Sequence, residues 1–286
     1  MANNLKIGVL GGLLACVLCG CGAKESGPPS VEKITTFSLG SASVPVFDGR
    51  PSAEELCDAV ERLYDSFHSV AVSYTSTLRT VNDWRRVPGE EAYVFEPRVY
   101  EMTLEYRAKE PDKELLTVST EEYHHVNVIN GKRSYLYDAT DNTYVSPWAS
   151  DQDVRSPDLK HSPGLLILAV DDNTPVRRRL LPDATVRGER VYVLQLRIEP
   201  KSRDSAERRG ASSVHTLYLG KSDLLPRKIE IVWEDKTAEQ RKGGLPNNRA
   251  THIYSGLIAN LDLPDELFDP TPPAGAKRGE PPQKAP

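Results

Sequence analysis

Between residues 52 and 67 the apolar positions Leu56, Ala59, Val60, Leu63, Tyr64 and Phe67 recur at spacings of three and four. That spacing lines one side of an α-helix over about four turns. Ser52 stands ahead of it with Glu55 three residues on, a capping box whose hydroxyl satisfies a free amide of the first turn. Beyond residue 69 the period drops to two. Val70, Val72 and Tyr74, continued by Leu78, share one face; Tyr100, Met102, Leu104 and Tyr106 share another, opposed by Glu101, Thr103, Glu105 and Arg107. Tyr192, Leu194, Leu196 and Ile198 form a third stripe, and Ile229, Ile231 and Trp233 a fourth. Such alternation gives each strand a dry face and a wet face, the habit of antiparallel sheet. Turns are expected at Asn130-Gly131, Thr140-Asp141-Asn142 and Lys221-Ser222-Asp223. The pattern predicts roughly ten strands in a meander. The set reads as one large, curved antiparallel sheet, so the fold class is α+β, mostly β.

Leu165-Leu166-Ile167-Leu168-Ala169-Val170 breaks the alternation, preceded by Ser162-Pro163-Gly164 and closed by Asp171-Asp172-Asn173. Ser162 suits a cap and Pro163 a first helical position, so a short apolar helix is the preferred reading and a buried strand its rival. Lys201 to Arg209 and Glu234 to Arg249 are charged excursions that read as loops, and Pro270 to Pro286 as an unstructured end.

The start of the chain carries the most specific signal. Lys6 and the amino terminus make a positive n-region, and Ile7 to Cys19 runs without charge. That run is short of the ~20 residues a membrane helix needs, but it suits a signal-peptide core. It ends Leu18-Cys19-Gly20-Cys21, which resembles the bacterial lipobox and implies cleavage before Cys21 and lipid on its sulfur. Leu13-Leu14-Ala15-Cys16 is a poorer match because Leu14 is large. Gly22 after the cysteine, rather than Asp, favours the outer over the inner membrane by the enterobacterial sorting rule. Residues 1–20 are therefore expected to be a lipoprotein signal peptide and 21–51 a flexible lipid-anchored tether rich in Ser, Pro, Gly and Thr. Residues 52–275 form the domain and 276–286 a disordered tail.

Composition adds exclusions. The 286 residues hold 36 basic and 41 acidic side chains, net −5, with a mean hydropathy of −0.47. Such a chain is neither a polytopic membrane protein nor a disordered polymer. A pI near 5.8 lacks the basic footprint of a nucleic-acid binder. Of four cysteines, Cys16 and Cys19 leave with the signal and Cys21 is lipidated, so Cys57 is left without a disulfide partner.

The order of elements, with three local patterns, resembles the lipoprotein-carrier fold of the LolA/LolB type. Asn130-Gly131-Lys132 followed by Tyr135-Leu136-Tyr137-Asp138 looks like the family's hairpin leading into an aromatic strand. Leu225-Pro226-Arg227-Lys228-Ile229 looks like its Leu-Pro, basic, apolar strand start. Leu263-Pro264-Asp265-Glu266-Leu267-Phe268 with Pro272 to Gly275 looks like its terminal element. The resemblance spans about residues 52–275. It implies an unclosed curved sheet with helices over its concave face, leaving an apolar cavity that holds acyl chains in an anchored, periplasm-facing protein. The candidate cavity residues are Val72, Tyr74, Tyr100, Met102, Leu104, Tyr106, Leu165, Leu166 and Leu168, each of which suits a packed core equally well.

No catalytic motif competes. Gly-x-Ser-x-Gly, a phosphate-cradling glycine loop and His-Glu-x-x-His are all absent. His124 and His125 are adjacent, so a strand sends them to opposite faces. Cys57 sits in the helix stripe as a packed thiol, and Arg177-Arg178-Arg179 reads as a solvated edge. The expectation is a non-enzymatic envelope lipoprotein, with no cofactor, metal or nucleic acid. It meets the membrane through its N-terminal lipid (palmitate) and binds an apolar ligand or acyl chain. The alternative is a non-catalytic interaction or sensor module contacting another envelope protein.

Overall fold

The structure, a computed structural model, describes residues 33–80, 84–86, 93–95, 98–131, 133–146, 175–199, 212–234 and 248–279, with backbone alone for 84–86 and 93–95. The helix α1 runs Ala53–Asp65, and the expected capping box is in place. Ser52 Oγ accepts the Glu55 amide at 3.1 Å, while a Glu55 carboxylate oxygen accepts the Ser52 amide at 2.8 Å.

The strands are β1 (Phe37–Ser38), β2 (Ser69–Thr80), β3 (Trp84–Arg86), β4 (Tyr93–Phe95), β5 (Arg98–Lys109), β6 (Lys113–Ser119), β7 (His124–Asn130) and β8 (Arg133–Asp138). They continue as β9 (Thr143–Val145), β10 (Val176–Val186), β11 (Glu189–Ile198), β12 (Ser213–Gly220), β13 (Pro226–Trp233), β14 (Asn248–Ala259) and β15 (Lys277–Arg278). One sheet of 13 strands holds all but β3 and β4, which pair with each other. Its order is β10-β11-β12-β13-β14-β2-β5-β6-β7-β8-β9-β15, unclosed at the ends, and β1 lies beside β14. All pairings on the path are antiparallel except β15 with β9; β1 also runs parallel to β14. The three expected turns join β7 to β8, β8 to β9 and β12 to β13. At the first, Gly131 takes φ +60°, which a side chain would resist.

Register stacks the four sequence stripes onto one face. Val72 faces Tyr106, Tyr74 faces Leu104 and Leu78 faces Tyr100; Leu194 faces Leu217, which faces Ile229. On a flat sheet β10 and β6 would lie seven strand spacings apart, ~34 Å. Leu180 of β10 and Leu116 of β6 nevertheless belong to one apolar cluster with the 13-residue α1, which is only ~20 Å long. The sheet therefore curves around its helix. Leu56, Ala59 and Val60 are completely buried, and each large aliphatic so placed contributes ~1.5–3 kcal/mol over leaving it in water.

The outer face is not uniformly wet, which departs from the simple dry–wet alternation. Leu115, Val126, Val128, Tyr135 and Tyr137 form a second core there, closed by Leu263 and Phe268. The 3-10 turn Asp265–Phe268 is held by Lys109 and Lys113, whose ammonium groups lie 2.9 and 2.6 Å from Asp265. Asn130 donates to the Phe268 carbonyl at 3.1 Å and Asn142 to that of Gly275 at 3.1 Å, and β15 then joins the sheet. The chain end is thus ordered as far as residue 279, past the start of the expected tail.

The N-terminal side differs from a free linker in the same way. Residues 33–50 lie along the sheet. β1 pairs with Leu257 and Ile258, where β13 has already ended. The Ile34 amide donates to Ser73 Oγ at 2.8 Å, and the Leu257 amide donates to the Thr36 carbonyl at 2.8 Å. Gly256 makes this possible: a Cβ there would come within 2.7 Å of Ile34. Backbone pairing with a sheet edge orders a segment whose composition alone reads as linker.

Candidate functional site

The helix-covered face gathers the candidate residues within the described part of the chain. Val72, Tyr74, Leu104 and Tyr106 are buried in the main apolar cluster, and Met102 packs against it. Tyr100, half-buried, faces Leu78 on the same side. Leu165, Leu166 and Leu168, the Asp171–Asn173 run and Cys21 lie outside the described residues.

Polar groups that the sequence pattern leaves unmarked are set into this face. Tyr64 reaches down from α1, while His252 and Tyr254 rise from β14 beside Tyr74. The rings of Tyr74 and Tyr254 stack at 5.3 Å, and that of His252 meets Tyr74 edge-on at 5.6 Å. Tyr64 Oη, Tyr254 Oη and His252 Nδ1 are buried with no hydrogen-bond partner among the described residues. Burial pushes both phenols well above their ordinary range and the His252 imidazole down to about 4, so all three are uncharged at neutral pH. On the next strands, burial brings His215 to about 4; its Nε2 lies 3.0 Å from Ser213 Oγ. The alternation of His252 and Tyr254 along β14 was the available signal for this group.

Farther along the same face Glu114, half-buried beside Tyr106, is pushed up to about 7 by desolvation. His125 Nε2 lies 2.9 Å from Asp138, while His124 turns to the opposite side and lies 2.7 Å from Ser119 Oγ. The two histidines diverge as their adjacency requires. Among the described residues no three His, Cys, Asp or Glu side chains lie close enough to hold a metal. Cys57 is a buried free thiol, raised to about 11 by burial, a packed group rather than an activated nucleophile. Arg177, Arg178 and Arg179 are exposed on the edge strand β10.

At the rim, Arg227 is buried and clamped. Its guanidinium bonds Glu189 at 2.7 and 2.9 Å and Asp223 at 2.7 Å, and lies 3.9 Å from the centre of the Phe37 ring. The basic position of the Leu-Pro strand start thus ties the β12–β13 turn to β1. Beside it a cleft of about 250 Å³ is lined by Val44–Phe47, Tyr192, Lys221 and Ser222. That is below the usual range for a ligand pocket.

No family model matches this chain, and no curated protein does. Its fold is similar to two solved bacterial structures. One is a proposed outer-membrane lipoprotein-sorting protein domain from Vibrio parahaemolyticus, 14% identical, covering 76% of this chain and 97% of that one at a TM-score of 0.29. The other is the lipoprotein LppX of Mycobacterium tuberculosis, 8% identical, covering 71% of this chain and 94% of that one at a TM-score of 0.37. At such identities and scores the functional argument rests on this chain's own geometry.

Proposed function

We propose that the protein is a bacterial envelope lipoprotein, anchored through Cys21, that binds an apolar ligand or a lipoprotein acyl chain between its curved sheet and α1, as a carrier or chaperone. The observation that carries this reading is one apolar face running from β10 to β6 around a single 13-residue described helix. The leader-like start and the lipobox-like Leu18-Cys19-Gly20-Cys21 support a position outside the cytoplasm, and Gly22 favours the outer membrane over the inner.

Native mass spectrometry of the purified chain, with extraction of bound lipid, tests the reading. Apolar molecules in stoichiometric amount are expected. Protein that is consistently empty after exposure to envelope lipids counts against it. The strand β10, at the end of the sheet among the described residues and carrying three exposed arginines, favours the second reading, a module contacting another envelope protein. Recovery of a stoichiometric protein partner and no lipid would select that one.

A further inference from the structure

We infer that Tyr64, Tyr254 and His252 form the recognition point for an uncharged hydrogen-bonding group, a hydroxyl, ester or amide, carried by the otherwise apolar ligand. This rests on the proposed binding reading and adds its chemistry. Tyr64 and Tyr254 are each about 98% buried or more and His252 about 97%, yet one polar atom of each has no partner among the described residues. Native interiors seldom leave such groups unmade, because each unsatisfied atom costs the desolvation it suffered on folding. The Tyr254 ring stacks on Tyr74 and lies within electrostatic reach of Tyr64, and the His252 ring meets Tyr74 edge-on, so the three unmade bonds belong to neighbouring groups on the face under α1. Two phenol O–H groups donate, and a neutral imidazole nitrogen either donates or accepts.

Charge selects the class. The ionic groups felt by Tyr64 are Asp223 and Arg227. Arg227 is already paired with both Glu189 and Asp223, so among the described residues a carboxylate or phosphate entering here would find the nearest cation already neutralised. An anion without a counter-charge is costly in a dry site, whereas a hydroxyl or ester carbonyl completes the phenols at no such cost.

The test uses the full mature chain with Cys21→Ser, so that its own acyl chains do not compete. Three probes of equal chain length carry pyrene at one end and a hydroxyl, a carboxylate or a methyl at the other; fluorescence titration gives each Kd. Wild type should bind the hydroxyl probe about tenfold or more tighter than the other two, as one or two added hydrogen bonds would give. Tyr64→Phe and Tyr254→Phe, which remove one oxygen each, should erase most of that preference by weakening the hydroxyl probe far more than the methyl probe. Equal hydroxyl binding by wild type and the Phe variants overturns the inference, as does tightest binding of the carboxylate. A loss of stability in the Phe variants without any change in probe affinity also overturns it, by assigning the phenols to an internal water. If none of the three probes binds, the apolar-ligand reading fails as well.

Discussion

At the scale of single residues, the helix stripe is a matter of volume. Leu63 is 2% exposed under α1, so Leu63→Ala should cost ~2–5 kcal/mol in urea unfolding; a loss under ~0.5 kcal/mol would mean that the helix is not packed on the sheet. The buried titratable groups make a second prediction. His252 and His215 are pushed down to about 4, below the ~6.5 of an unfolded histidine. Between those values the unfolded chain binds the extra protons, so stability falls as pH falls from about 6.5 to 4. Glu114 works the other way: raised from 4.5 to about 7, it gains the folded state a proton between those values and adds stability as pH falls. Two groups oppose one, and the unfolding midpoint should drop on acidification. Glu114→Gln should steepen the drop and His252→Leu should flatten it; identical profiles for all three proteins would refute the assignment. None of these shifts is legible in sequence, because burial rather than a neighbouring residue causes them.

At the scale of elements, local pattern and tertiary contact part company. The cap at Ser52, the stripe of α1, the period-2 strands and the Asn130-Gly131 turn are all written locally, and each forms as read. Residues 33–50 and 270–279 are not. Their Pro, Gly and Ser content gives no period, and what orders them is hydrogen bonding to strands far away in sequence, as in Asn142 to Gly275 or Ile34 to Ser73. Gly256 is where the N-terminal strap depends on a missing side chain. Gly256→Ala would place a Cβ 2.7 Å from the Ile34 backbone, an overpacking of the kind that costs ~1–3 kcal/mol. Limited proteolysis between residues 33 and 47 should then speed up while α1 stays protected; unchanged cleavage would mean that the strap is not seated there.

At the scale of the whole molecule, Cys21→Ala should release the protein from membranes and abolish labelling with palmitate. Continued membrane partitioning would remove the anchor or move it to Cys16. The sequence by itself determined the class of fold, the helix, the turns, the lack of a catalytic motif and which aromatic and aliphatic positions share a face, because periodicity and capping act within a few residues. Only the tertiary structure decided that the sheet bends around α1, that both its faces carry cores, that Arg227 closes an ion cluster with Glu189 and Asp223, and that His252 and Tyr254 both pack their rings on Tyr74. Those outcomes depend on strand order and register, which bring together residues as far apart as Phe37 and Leu257, and no local pattern encodes which distant strand will lie alongside.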